Sequence, residues 1–319
     1  MQRAGVVSTH PEADDVAAEI LREDGTAMAA ALGGYFAAAG SEPGVLFAPL
    51  TILVGGGGAG GRVFDGRCRQ PGVGAKRPRG WTDADRIPEA AYVAVPGSVA
   101  AAVVACAYVP GTSVNSVVRR GVAAARRAGA GRRAALVRQV AALGAGILND
   151  AQLKGALLGE LGPAQGGLMS SGDLMPPRDL DRPALERDGV WFPPWVSDVP
   201  ESEGDEPPGA PPSPLGVGHV LCAVDVRGLF VALSFRSCPG WEIEDLEIAL
   251  PKLAVPVRRG VPRTEPGSPL PTPAPIGLRR NPSGQVVEAI ASPRSQRIDE
   301  PEIVLRRDPS TLDVSVLRH

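Results

Sequence analysis

The sequence has few of the residues on which metal binding, disulfide frameworks and ring packing depend. It contains 4 cysteines and 3 histidines, and aromatic residues make up 4% of the chain. Because the cysteines show no CxxC spacing and the histidines do not cluster, the sequence predicts neither a zinc site nor a disulfide scaffold. We expect no metal and no cofactor, and we expect alanine to fill much of the helix packing.

The chain also lacks a strong charge of either sign and any long apolar run. Lys and Arg total 33 against 35 for Asp and Glu, a formal net charge of −2. Such a balance gives no overall field that would attract nucleic acid or anionic lipid. With no segment apolar enough to span a bilayer and no leader-like start, we expect a cytoplasmic, soluble protein with no nucleic-acid partner and no membrane segment.

Helix signals are clear in the first half of the chain. Thr9 opens a capping-box pattern before an amphipathic stretch that Gly25 can end, and Thr26 can cap a second, alanine-rich helix that runs to about residue 40. Helical spacing returns between residues 98 and 159, where Ser98 and Ser113 are the predicted caps. Strand signals, in contrast, are short. They lie at residues 49–54, 62–64, 219–225, 229–235, 276–278 and 286–291.

A proline-rich, acidic stretch divides the chain. Residues 191–216 have a composition that does not pack a core, so we interpret them as a linker. The sequence therefore predicts a large α/β segment over residues 1–190 and a strand-rich segment over residues 217–319 that completes the same domain.

Two local patterns have simpler interpretations than function. Gly55, Gly57 and Gly60 match a dinucleotide-binding fingerprint, but residues 61–66 do not provide the helix that such a site requires, so a hairpin turn is favoured. A basic stripe on the helical segment is favoured as a solvated helix face over a surface for an acidic partner. Its members are Arg119, Arg120, Arg126, Arg127, Arg132, Arg133 and Arg138.

A series of short blocks, in their order along the chain, resembles the γ-glutamyltranspeptidase family. The blocks are Ser8-Thr9-His10-Pro11, residues 18–22, residues 25–27, Glu42-Pro43, Asp65-Gly66-Arg67, residues 95–100, residues 172–174, residues 179–180, residues 219–225, residues 269–270, residues 274–275 and residues 292–293. This resemblance implies an α+β fold, the four-layer αββα sandwich of N-terminal-nucleophile hydrolases. It also implies a precursor that cuts itself to expose a catalytic threonine, whose hydroxyl attacks a γ-glutamyl amide.

The sequence departs from that family where the chemistry should occur. The family's Thr-Thr-His is represented by Val217-Gly218-His219, and neither valine nor glycine can attack a carbonyl. Val217 at the nucleophile position therefore predicts no self-cleavage and no acyl transfer by the family route. Cys222 is a substitute nucleophile in principle, but a small buried filler is favoured at this strand position. His219 is favoured as a structural histidine.

The resemblance also places the family's substrate contacts on weak matches. Its Ser-Ser pair falls near Thr272, and its oxyanion Gly-Gly pair falls near Arg294 and Ser295. Arg67 matches the family's carboxylate-binding arginine, although a structural ion pair is an equal alternative and Cys68 replaces its usual glutamate neighbour. Two further expectations are weaker. The family's acidic pair has only Glu244-Asp245 in its region, and Cys238 stands where an asparagine is expected.

The chain is shorter than the family, so the resemblance implies a truncated sandwich. Two hypotheses remain open. The first is an unprocessed, single-chain pseudoenzyme that binds a partner protein or an amino-acid-like ligand, as a homo-oligomer or in a complex with a related protein. The second is an amide hydrolase or transferase repurposed for specialised biosynthesis, with Cys222, Thr272, Ser295 or an unidentified group as its active residue.

Overall fold

The computed structural model describes residues 3–76, 80–195, 215–294 and 297–319. Two β-sheets lie face to face, and a helical layer covers one of them. Among the residues that the structure describes, no helix combines the length and the apolar character that crossing a membrane requires.

The first sheet has six strands in the order β1-β7-β8-β2-β3-β4. Every neighbouring pair in it is antiparallel. Its strands are β1 (Gly5–Ser8), β2 (Leu50–Gly56), β3 (Ala59–Gly66), β4 (Asp181–Pro183), β7 (Val217–Val224) and β8 (Leu229–Ser237).

The second sheet also has six strands, in the order β14-β13-β12-β11-β6-β5. Its strands are β5 (Leu185–Arg187), β6 (Val190–Phe192), β11 (Ile276–Arg280), β12 (Val286–Ala291), β13 (Ile303–Arg307) and β14 (Val314–Arg318). Two short strands, β9 (Trp241–Ile243) and β10 (Ile248–Leu250), pair separately. Both large sheets combine strands from before and after the predicted linker, and β6 crosses its predicted boundary at residue 191.

The helices pack on the outer face of the first sheet. They are α1 (Pro11–Arg22), α2 (Ala27–Ser41), α3 (Ser98–Tyr108), α4 (Val114–Arg127), α5 (Gly131–Leu143) and α6 (Ala151–Leu161). Helix α2 is buried along nearly its whole length, because it lies between the sheet and the other helices. Gly40 of α2 and Gly121 of α4 permit this packing, since a Cβ on Gly40 would lie 2.1 Å from the Gly121 carbonyl oxygen.

Alternation along the strands divides the core into two parts. On β7, Leu221 and Ala223 join the cluster that includes the helices, whereas Val220, Cys222 and Val224 join the cluster between the sheets. This is the behaviour of strands buried on both faces. The prediction of an α+β sandwich is confirmed. In the described part of the chain the α-helices pack on the first sheet, so one helical layer of the predicted four-layer αββα arrangement is seen.

Most predicted elements of the first half are present, but two caps are different. His10, and not Thr9, is the N-cap residue of α1, and the Thr9 hydroxyl accepts instead from the Val220 N–H at 3.0 Å. Helices α1 and α2 and the β2–β3 hairpin lie where the sequence predicts them, and no helix follows the glycines of that hairpin. The expectation that Ser98 caps α3 is wrong. Gly97 is the N-cap residue, and the Ser98 hydroxyl donates instead to the Leu46 carbonyl oxygen at 2.7 Å.

Candidate functional site

The candidate site is the start of β7, where the resemblance places a nucleophile. Strand β7 begins at Val217, whose side chain is 62% exposed. Val217 pairs in register with Ser237 at the end of β8, and His219 pairs with Phe235. Because paired residues point to the same face of a sheet, these four side chains share the face that packs on the helices.

The peptide that precedes Val217 is held by the end of β8. Arg236 donates from Nε to the Leu215 carbonyl oxygen at 2.5 Å and from Nη2 to the Gly216 carbonyl oxygen at 2.9 Å. The Cys238 thiol donates to the same Leu215 oxygen at 3.1 Å. Gly216 has φ +62°, and a Cβ there would lie 2.1 Å from the Ser237 carbonyl oxygen. The backbone at this junction is therefore fixed by specific contacts, and only glycine fits it.

A chain of polar side chains lies beside Val217. Glu42, at the C-terminal end of α2, accepts a hydrogen bond from the Ser237 hydroxyl at 2.6 Å through one oxygen. Its other oxygen lies 3.1 Å from His10 Nε2. The Nδ1 atom of His10 caps α1 by accepting from the Ala13 N–H at 3.4 Å. Since Nδ1 is an acceptor, the proton of a neutral His10 is on Nε2 and points to Glu42.

These contacts lower the pKa of Glu42. The hydrogen bond from His10 is the main cause and the bond from Ser237 adds to it, so that the pKa falls from 4.5 to about 2 against the opposing effect of partial burial. Glu42 is therefore an anion at neutral pH and a weak base. Because its carboxylate separates Ser237 from His10, no direct Ser-His pair forms, and such a pair is what activates serine nucleophiles most often.

His219 completes the cluster from the strand. Its ring stacks on Phe235 with centroids 5.3 Å apart and meets the His10 ring edge-on at 5.0 Å. Its Nδ1 atom is buried and has no hydrogen-bond partner among the residues that the structure describes. Burial, and secondly the proximity of His10, lower the pKa of His219 from 6.5 to about 4. His219 is thus neutral at physiological pH.

Arg67 lies in a buried ion pair. Its Nε and Nη2 atoms each lie 2.9 Å from an oxygen of Asp65, whose side chain is 1% exposed. The guanidinium also stacks on Trp195, 4.0 Å from the ring centroid. A bidentate carboxylate and an aromatic face are the two partners that the planar guanidinium suits best. Asp65 therefore already occupies the fork of Arg67 with which a ligand carboxylate would pair.

The other sequence-predicted site residues are dispersed. Cys222 is fully buried in the core between the sheets, and burial raises its pKa to about 12. The buried Thr272 hydroxyl donates to the Leu270 carbonyl oxygen at 3.4 Å. Arg294 is exposed, and its backbone N–H bonds Glu302. Ser295 lies outside the described residues. Burial also raises the pKa of Cys238, to about 11.

Most of the basic stripe is engaged within the molecule. Arg120 pairs with Glu19 and Glu23 of α1, and Arg127 pairs with Glu12. Arg132 pairs with Asp245, which is one of the two acidic residues considered for the family's acidic pair. Arg133 donates to the carbonyl oxygens of residues 40, 41 and 247. These contacts attach α4 to α1, and they attach α5 to α2 and to the segment between β9 and β10.

The sequence did not reveal that His10, Glu42, Arg236 and Ser237 form one cluster. His10 and Glu42 stand in two of the family-like blocks, but these blocks are 32 residues apart. Ser237 and Arg236 are brought to them by the pairing of β8 with β7. The two family-like blocks single out His10 and Glu42, but the contact between these two side chains depends on the tertiary fold.

Comparison with known proteins identifies the fold. Two structures of LmbA2991 match with TM-scores of 0.59 and 0.58; each is 17% identical, and each match covers 91% of this chain and 78% of that chain. Cephalosporin acylase from Bacillus halodurans matches with a TM-score of 0.60 and 15% identity over 89% of this chain and 76% of that chain. No family model and no curated protein matches the sequence. At this identity the likeness shows the fold, which is that of N-terminal-nucleophile hydrolases.

Proposed function

We propose that this protein is a γ-glutamyltranspeptidase-like pseudoenzyme that stays a single uncut chain and acts by binding. Its fold is built to present a nucleophile at the start of a central strand, but Val217 stands there with a side chain that cannot attack a carbonyl. Self-cleavage in this fold needs a hydroxyl or thiol on the residue that follows the cut bond, because that atom accepts the acyl group. The missing nucleophile at Val217 is the observation on which the proposal depends.

The contacts around the junction support the same conclusion. Arg236 and Cys238 hold the carbonyl oxygens of Leu215 and Gly216 from the end of β8. These bonds give Leu215 and Gly216 specific partners in the fold, which supports a chain that keeps them attached. We propose that the chain works in this form in the cytoplasm, and that its ligand is a small amino-acid-like molecule.

A repurposed amide hydrolase or transferase is the second candidate, favoured by one contact. The Ser237 hydroxyl lies 2.6 Å from Glu42 and directly across the strand pair from Val217. A carboxylate can take a serine proton, but a carboxylate with a pKa of about 2 provides little driving force for that transfer. For this reason we rank binding above hydrolysis.

Labelling with a reactive acyl compound separates the two candidates. The purified full chain is incubated with a γ-glutamyl electrophile, and its intact mass is measured. We expect no mass increase. An adduct that is lost in Ser237→Ala but kept in Ser283→Ala, a matched exposed serine in the β11–β12 turn, would establish the second candidate and overturn the first.

A further inference from the structure

A surface cleft lies at the end of β7 that is remote from Val217. It has a volume of about 490 Å³ and lies between the α1–α2 junction, the start of α4 and the β7–β8 turn. Strand β7 runs from Val217 to Val224, so at about 3.3 Å per residue the cleft is roughly 20 Å from the candidate site described above. It is therefore a separate site.

The turn that borders the cleft is held in place by one buried carboxylate. Asp225 accepts from the Ala27 N–H at the start of α2 through one oxygen and from the Arg227 and Leu229 N–H groups through the other. Asp225 is 3% exposed. This fixed turn presents the exposed Arg227 side chain at the cleft.

The charged side chains that line the cleft are only partly neutralised by ion pairs. Of its charged lining, Arg120 and Glu23 pair with each other. Within the described part of the chain, Arg119, Arg227 and Asp24 form no ion pair. The cleft thus offers two unpaired guanidinium groups and one unpaired carboxylate, a net charge of one positive unit.

We propose that this cleft binds a small amino dicarboxylate. Two ligand carboxylates would pair with Arg119 and Arg227, because guanidinium groups bind carboxylates through paired hydrogen bonds. The ligand ammonium would pair with Asp24. An amino dicarboxylate carries one net negative charge, which matches the one positive charge of the unpaired lining. This inference rests on the proposed binding function and names the site and the ligand class.

The test uses isothermal titration calorimetry on the full chain with three probes. L-aspartate has two carboxylates and an ammonium group, succinate has the carboxylates only, and 1,4-diaminobutane has amines only. We expect aspartate to bind more tightly than succinate and the diamine not to bind. Loss of one charge-assisted contact should weaken aspartate binding about tenfold or more in Arg119→Ala and in Arg227→Ala.

Two further variants make the test specific. Arg126→Ala removes an exposed arginine of the same helix that does not line the cleft, so it should leave binding unchanged. Asp24→Asn should weaken aspartate but not succinate, and it should fold normally because Asp24 has a left-handed backbone (φ +58°) that asparagine also accepts.

Two outcomes would overturn the inference. One is the absence of aspartate binding at millimolar concentration, and the other is equal binding by Arg126→Ala, Arg119→Ala and Arg227→Ala. The proposed uncut state is measured separately by intact mass, so a failed titration on a single intact chain rejects the cleft alone. Fragments of the chain would reject the proposed function whatever the titration shows.

Discussion

Acid should destabilise this protein through His219 before it affects the carboxylates. In the unfolded chain an imidazole takes up its proton near pH 6.5, whereas in the folded protein the pKa of His219 is lowered to about 4. Between these values the unfolded state holds more protons, so the free energy of unfolding falls as the pH falls. The stability that a neutral His219 contributes is fully present above pH 6.5.

The size of the effect follows from the two pKa values. Each pH unit between them corresponds to about 1.4 kcal/mol, which sets an upper bound of about 2 kcal/mol for the change from pH 7 to pH 5. Because His219 is only partly buried, solvent screening reduces this, and we expect about 1 kcal/mol. The pKa of Glu42 is lowered from 4.5 to about 2, so its own contribution is lost only below pH 4.5.

Urea unfolding at pH 7 and pH 5 measures this difference. His219→Gln has no imidazole at this position and should lose less stability than the unchanged protein between the two pH values, whatever its stability at pH 7. His319→Gln, which removes an exposed histidine at the end of the chain, is the control and should keep the full change. An unaltered pH dependence in His219→Gln would refute the reasoning.

Two substitutions and one labelling experiment test the packing at the predicted site residues. Arg67→Met should cost about 3–5 kcal/mol in urea unfolding, because it leaves the buried Asp65 carboxylate unpaired; a loss below about 1 kcal/mol would contradict the buried ion pair. Gly216→Ala should lower the free energy of unfolding more than Gly129→Ala. Both glycines have positive φ, which costs an alanine about 1–2 kcal/mol, but of the two only Gly216 lacks room for a Cβ. Equal unfolding midpoints for the two variants would contradict this expectation. Cys222 should resist alkylation in the native protein and react after unfolding, and rapid native labelling followed by mass spectrometry would oppose its burial and its pKa of about 12.

The fold could be predicted from the sequence where local signals and tertiary packing agree. The helix-start signals at residues 9–12 and at Thr26 place α1 and α2 correctly, but only Thr26 caps its helix as predicted; in α1 the side chain that bonds the first turn is His10, one residue after Thr9. Alternation defines β7 and β8. Ser98 was misassigned because its hydroxyl has a distant partner, the Leu46 carbonyl oxygen, which no local pattern reveals.

The short strands were missed for a related reason. Strands β4, β5 and β6 have three residues each, which is too few to show a period of two. They exist because neighbouring strands already provide their hydrogen-bond partners. Strand β6 begins at Val190 and pairs with β11. The proline-rich composition that follows it favoured a linker from residue 191, because the strand depends on its pairing within the sheet.

The centre of the candidate site stays a prediction from the sequence, and the side chains around it are seen only in the folded structure. The family-like blocks lead to Val217 as the predicted nucleophile position, where the sequence has no hydroxyl or thiol. Composition and spacing could not show that Arg236 holds the Gly216 carbonyl oxygen or that Glu42 lies between His10 and Ser237. These contacts depend on strand register and on the end of α2, which are properties of the folded chain.

The most direct test of the proposed pseudoenzyme is the intact mass of the freshly purified full chain, measured together with denaturing electrophoresis. An uncut protein gives one species of 32.9 kDa. Two fragments, the second beginning at Val217, would contradict the account.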